Sequence, residues 1–198
     1  MLFTQTQRDI IVGTVLGDAT LERNGKNVRM KTAHCIKQKE YVKWKYNYLK
    51  HICSSLPRVF DVFDKRTQKI RQQISFSTKT MAELNVYREL FYKDKIKIIP
   101  DNITEMLTSP LSLAVWYMDD GHKRTDCNAL RLHTNSYSFE EQMKLKKCLS
   151  KNFDIDVNIH KAAKHFVLYV PSREGNKFCS IVKPYIIPSL QYKIFLTL

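Results

Sequence analysis

A chain of 198 residues, 43% hydrophobic and 26% charged, holds enough apolar mass for a sizeable core, and its 5 Gly and 6 Pro exclude collagen, low-complexity and disordered chains. Its 33 Lys and Arg against 19 Asp and Glu leave a net charge of +14, which implies a polyanionic partner, nucleic acid before an anionic membrane surface. No apolar run reaches the roughly 18 residues that cross a bilayer, and no basic-then-apolar leader opens the chain, so a soluble, unexported protein is expected. Five irregularly spaced cysteines without a C-x-x-C pair read as reduced thiols rather than disulfides or zinc ligands.

Thr6 with Asp9 three residues on has the spacing of a capping box and predicts a helix over 6–17. Asn24-Gly25 predicts a tight hairpin between short apolar-alternating segments. A longer helix follows over 38–54, a second hairpin from strands 59–63 and 70–77, and a helix over 82–92. Beyond the turn-like stretch 100–110, Ser109 and Pro110 supply an N-cap and a first-turn proline for a helix ending at Met118. Ser138 and Glu141 form another capping box for a helix to Asn152, followed by strands at 155–159 and 166–170 and a last helix around 178–182.

The elements repeat. Segments 11–19 (IVGTVLGDA) and 113–121 (LAVWYMDDG) are both apolar runs ending in an acid and a small residue, with Asp18 and Asp120 102 positions apart. The same offset lays 28–32 (VRMKT) on 130–134 (LRLHT), and Ile-Ile-Pro recurs at 98–100 and 186–188 with a shorter spacing. The expected fold is therefore α+β, a pseudo-twofold pair of αββαββα units at 1–104 and 105–198, monomeric because one chain carries both copies. Strand alternation turns Val28, Met30, Ile74, Phe76, Leu130, Leu132, Ile155, Val157 and Ile159 to a core. It leaves Arg29, Lys31, Arg71, Gln73, Arg131, His133 and His160 on a polar, basic sheet face suited to base edges and phosphates of double-stranded DNA.

Asp18, Asp119 and Asp120 stand at the C-terminal ends of the two apolar helices, where a carboxylate costs about 0.3 to 1 kcal/mol against the helix dipole. Something positive should offset that term, and a divalent cation is one candidate. Gly13 and Gly17, four apart on one helix face, would let a neighbouring backbone approach, with Ala114 available on the other helix. If the helices pack on each other, their acids converge; the residues alone leave open two ordinary buried helices with exposed or turn-capping acids.

Segments 11–19 and 113–121 resemble the two signature motifs of the LAGLIDADG homing endonucleases, in their single-chain, two-motif, intron-encoded form. The similarity extends to 99–102 (IPDN), 110–121, 138–141 (SFEE), and 183–188 (KPYIIP) with Tyr192-Lys193. It implies motif helices packed at the unit interface and two antiparallel sheets forming a DNA-binding saddle. It further implies Asp18 and Asp120 as the metal-binding acids, with Ala19 and Asp119 as secondary members. Asp119 aligns with Gly17 and lies about 100° round the helix from Asp120; Ala19 stands where the pattern has Gly. Lys97 and Lys193 match basic residues placed near the scissile phosphates in similar enzymes. The expected chemistry is Mg²⁺-dependent phosphodiester hydrolysis, with Mn²⁺ as a substitute, giving a double-strand break with short 3′ overhangs. Two rivals share the scaffold: a maturase binding intron RNA, and a non-catalytic DNA-binding protein. The Lys- and Ile-rich composition points to an AT-rich genome such as that of a mitochondrion or chloroplast, with a bacterial or phage cytoplasm as the alternative.

Overall fold

The first helix starts one residue earlier than the Thr6 and Asp9 spacing predicts, and its cap lies two residues earlier. In this computed structural model, which describes residues 3–162 and 164–195, α1 (Gln5–Leu16) is capped by Thr4. Thr4 is extended, its hydroxyl accepts from the Gln7 N–H (3.2 Å), and the Gln7 side chain accepts from the Thr4 N–H (3.0 Å). Asp9 is instead buried inside the helix, taking a hydrogen bond from Gln5 (2.7 Å). A capping box does start the helix, but Thr4 and Gln7 form it, not Thr6 and Asp9.

From α1 the chain runs through β1 (Thr20–Asn24), β2 (Asn27–Cys35), α2 (Lys39–Leu49), β3 (Arg58–Asp64), β4 (Lys69–Ser77) and α3 (Asn85–Phe91). A small hairpin, β5 (Tyr92–Lys93) with β6 (Ile96–Lys97), and the single turn α4 (Ile103–Met106) lead to the second unit. There α5 (Pro110–Asp120), β7 (Gly121–Lys123), β8 (Leu130–Leu132), α6 (Phe139–Phe153), β9 (Asn158–Ala162), β10 (His165–Val170) and α7 (Ser172–Val182) follow in the same order. Gly25, at φ +65, makes the β1–β2 turn with Lys26, so Asn24 closes the last pair instead of sitting in the turn. Ser109 caps α5 and the Ser138–Glu141 box caps α6.

The two sheets are topologically identical. Both are antiparallel and four-stranded, ordered β1-β2-β4-β3 and β7-β8-β10-β9. Their apolar faces rest on the helices: Val28, Met30, Ile74, Phe76, Leu130, Leu132 and Leu168 are buried. The strand expected at 155–159 begins only at Asn158. Asp154 ends α6 in the left-handed conformation (φ 54), its N–H returning to the Leu149 and Ser150 carbonyls, and Ile155 and Val157 are buried while the chain crosses from helix to sheet. Between the units there is no free linker. The Ile99 N–H donates to Glu141, Lys144 donates to the Ile99 carbonyl, and Asn152 donates to Thr104 and Leu107 carbonyls, fastening the segment before α5 to α6.

The α1–α5 contact explains both glycines. A Cβ on Gly13 would stand 2.4 Å from the Ser112 carbonyl oxygen and 2.7 Å from Val115 Cβ; one on Gly17 would stand 2.5 Å from Asp119 Cβ. Such distances are impossible, so the backbones approach only because these residues lack side chains. The groups nearest the two glycines belong to Ser112, Val115 and Asp119, and Ala114, the partner expected from sequence, is buried. At the 102-residue offset, Val115 is the counterpart of Gly13 and Asp119 of Gly17: each glycine meets its own repeat equivalent across the pseudo-twofold axis.

Candidate active centre at the paired helix ends

Each motif helix ends with carbonyl groups that have no partner within the helix. On α1 they are met by Lys97 of β6, whose ammonium donates to the Gly17 (2.6 Å) and Ala19 (3.1 Å) carbonyls. On α5 they are met by Lys193, which donates to the Met118 (2.6 Å) and Asp119 (3.2 Å) carbonyls. The cation expected to offset acids at the negative helix ends is therefore supplied in part by the chain's own lysines. Two tyrosines reach across the axis as well: Tyr137 donates to the Leu16 carbonyl (3.1 Å) and Tyr41 to that of Val115 (3.0 Å).

The acids differ in their surroundings. Asp18 keeps its side chain 44% accessible, with Oδ2 3.4 Å from His34 Nδ1. Asp119 is fully buried: Oδ1 takes the Lys45 ammonium at 2.6 Å and Oδ2 takes the Asp18 N–H at 3.2 Å. Asp120 lines an open cavity of about 430 Å³ together with His122, His133, Tyr192 and Lys193. Burial first, then the charges of Asp18 and Asp119, push the Asp120 carboxyl up to about 7, against Lys97 and the Trp116 indole. Burial and the Asp119 charge likewise hold Asp18 above the usual carboxylate range despite three lysines. Burial lowers Lys97 and Lys193, with the acids pulling them back.

Three groups with metal-ligand atoms, Asp18, His34 and Asp119, fall within 4.8 Å of one another. That cluster already holds a cation. The Lys45 ammonium sits 2.6 Å from Asp119 Oδ1 and 3.4 Å from His34 Nε2, and both Asp119 oxygens are engaged. Burial and Lys45 push His34 down to about 4, so the ring is neutral. A Lys45 donor on Nε2 assigns its proton to Nδ1, which faces Gln38 Oε1 at 3.0 Å. The carboxylates of Asp18, 44% accessible, and of Asp120, on the wall of the open cavity, are oxygen donors without a lysine on them and are crowded by like charge. The Ala19 carbonyl is taken by Lys97.

The profile of the LAGLIDADG DNA endonuclease family matches residues 8–178. This chain belongs to the LAGLIDADG family. Its relatives include the DNA endonuclease I-ChuI of Chlamydomonas applanata, 29% identical across 98% of this chain and 96% of that protein. The cytochrome b mRNA maturase bI2 of Debaryomyces hansenii is 31% identical across 94% of this chain and 72% of that protein. Among solved structures, the homing endonuclease I-WcaI bound to its DNA recognition sequence superposes with a TM-score of 0.91 at 22% identity, covering 100% of this chain and 89% of that one. I-DmoI, solved with DNA and Mn, superposes at 0.53 and 13% identity over 92% of this chain and 98% of that one.

The LAGLIDADG sheets carry the expected basic residues with unequal freedom. Lys31, Gln73 and Arg71 lie on one face of the first sheet, and Arg131 and His160 on the matching face of the second, as the cross-strand pairs Arg131–Tyr169 and His160–Val167 show. Arg29 is tied to Glu22 at 2.7 Å and Arg71 to Asp64 at 3.0 Å, while the His160 ring stacks on Tyr169 at 4.2 Å. His133 is not a sheet residue: it follows β8, its N–H donates to the Asp120 carbonyl (3.0 Å), and it stands in the cavity beside that acid. Lys45, His34 and Tyr41 carried no expectation, yet two of them had a signal. Lys45 falls among Tyr41, Val42 and Leu49 on the buried stripe of α2, and His34 follows Val28, Met30 and Thr32 on the buried side of β2. Charged or imidazole groups on such faces need buried partners.

Proposed function

We propose that this chain is a homing endonuclease that makes a double-strand break in DNA, leaving short 3′ overhangs, with Mg²⁺ as its ion and Mn²⁺ able to substitute. The observation that carries the reading is the pairing, in one body, of two acid-tipped helices each closed by a lysine ammonium. Asp18 and Asp120 would hold the ion, one acid serving each strand. When bound, it supplies charge neutralisation at the phosphate and a more acidic water. Desolvation and mutual repulsion keep both acids eager for a cation, which fits that role. Lys97 and Lys193, each holding two main-chain carbonyls at a helix end, keep a positive charge close to the acids, where it favours the negative charge that develops on the phosphate oxygens and orients water. Asp119 and Ala19 are set aside as ligands, because their oxygens already have partners. The two basic sheet faces grip the duplex, through Lys31, Arg71, Gln73, Arg131 and His160, with Arg29 released from Glu22 on contact.

A maturase reading is favoured by one observation, the relatives named as cytochrome b mRNA maturases at 31% and 35% identity. Those relatives also fit an organellar setting. The intronless allele of the gene that carries this reading frame, incubated with the protein and Mg²⁺ or EDTA, separates the two. Metal-dependent double-strand cutting supports the nuclease, and tight binding to the intron transcript without cutting supports the maturase. Asp18→Asn and Asp120→Asn should each lower cleavage by roughly two to three orders of magnitude while DNA binding persists. Undiminished cutting by either variant rejects the assignment.

A further inference from the structure

The buried pair Lys45–Asp119 has no part in the reading above, yet it touches Asp18 more closely than any other charged pair among the described residues. One Asp119 oxygen receives the Lys45 ammonium at 2.6 Å, with both side chains fully buried. The other oxygen receives the main-chain N–H of Asp18 at 3.2 Å. Lys45 also lies over the Tyr41 ring, 4.2 Å from its centroid, and Tyr41 in turn holds the Val115 carbonyl. A buried ion pair contributes little net stability once both charges have been stripped of water, so it is better understood through what it fixes in place.

The second unit has no equivalent. The seventh residue of α2 is Lys45; the seventh of α6 is Leu145, fully buried and apolar, and at the 102-residue offset Lys45 falls on Lys147, which is exposed. The repeat equivalent of Asp119 is Gly17, and the space its missing side chain leaves is where the Asp119 carboxylate sits. A carboxylate from the second unit thus crosses the axis and grips the first unit's acid, and among the described residues no first-unit carboxylate makes the matching hydrogen bond to the Asp120 main chain.

We infer that Lys45 and Asp119 are positioning residues for Asp18, which makes one of the two hydrolytic sites dependent on a buried lock that the other lacks. This rests on Asp18 and Asp120 being the acids that hold the ion. Loosening the lock lets the turn after α1 relax and displaces Asp18, so one strand is cut slowly and the other normally, and nicked product accumulates.

The test is strand-resolved single-turnover cleavage of the intronless-allele duplex, end-labelled on each strand, with saturating protein and Mg²⁺. Asp119→Asn keeps the shape and removes the charge; Lys45→Met with Asp119→Leu removes both charges together, so no unpaired buried ion threatens folding. The ratio of the two strand rates should shift by at least about 10-fold in both variants, since a displacement near an ångström at a reacting centre costs that much or more. Affinity for the same duplex in Ca²⁺ should follow wild type closely in both variants, and the melting temperature should do so in the double variant, whereas Asp119→Asn leaves the Lys45 ammonium buried without its partner and melts lower. Equal slowing of both strands, or an unchanged ratio, overturns the lock alone. Wild-type cutting by Asp18→Asn and Asp120→Asn overturns the nuclease assignment and the lock with it.

Discussion

The first unit is built around an absence and the second around what fills it. Where α1 has Gly13 and Gly17, α5 has Val115 and Asp119, and each pair meets across the axis. In a symmetric dimer of either unit, two valines or two aspartates would face each other at the same point, or two glycines would leave a void. Fusing the copies in one chain allowed knob and hole to separate. The sheets diverged too: β2 and β4 run nine residues each, whereas their counterparts β8 and β10 run three and six. Pseudo-symmetry therefore describes the topology and the lysine-capped helix ends, while side-chain chemistry differs between halves.

The most damaging way to break this pairing is Gly13→Val, which forces a side chain into the Ser112 carbonyl and should cost more than about 3 kcal/mol, read from chemical denaturation. Adding Val115→Gly removes the side-chain part of the clash but not the Ser112 carbonyl, and should recover part of that loss; no recovery would mean that the interface is not a reciprocal knob and hole. Next come the caps. Lys97→Met and Lys193→Met each strip an ammonium from two helix-end carbonyls, and each should slow cleavage by about 10- to 100-fold in single-turnover assays. Lys193 is only 8% exposed and should cost more stability than the half-buried Lys97.

A smaller effect concerns pH in the metal-free protein. Asp120 ionises near 3.8 when unfolded and at about 7 when folded, so the native state holds its proton more tightly. That contribution is complete below about pH 4 and is lost as pH rises toward 7. Asp120→Asn should accordingly melt higher than wild type at pH 8, by on the order of 1–2 kcal/mol, and the gap should close toward pH 4. The smallest effects belong to the sheets. Arg71→Ala should lower the slope of log affinity against log salt by about one on the first sheet. Arg29→Ala should change it less, because Glu22 must first be displaced. Matching Arg131→Ala measurements would show whether the short-stranded sheet carries an equal share of the duplex.

Much of the frame was legible beforehand because it depends on local rules. Period-two alternation located the sheet faces, Ser109-Pro110 and Ser138 with Glu141 located two helix starts, and the 102-residue offset exposed the duplication. The capping spacing pointed to Thr6 and Asp9, whereas the folded chain closes the box with Thr4 and Gln7. Ile155 and Val157 alternate like strand residues, but the left-handed Asp154 delays the strand. His133 alternates like a sheet residue and ends beside Asp120 because β8 stops at Leu132.

What the amino-acid order determined by itself is the doubled α+β plan, the two acids at the helix ends and the excess of positive charge, all properties of neighbours along the chain. The tertiary structure decided which charges meet. Lys45, His34 and Asp119 come from three elements, 34 to 119 in the numbering, and only close packing through Gly17 brings His34 and Asp119 against Asp18 with the Lys45 ammonium bound to both of them. Electrostatic pairing depends on distance in space and on exclusion of water, and neither is written in the spacing of residues along a strand or helix.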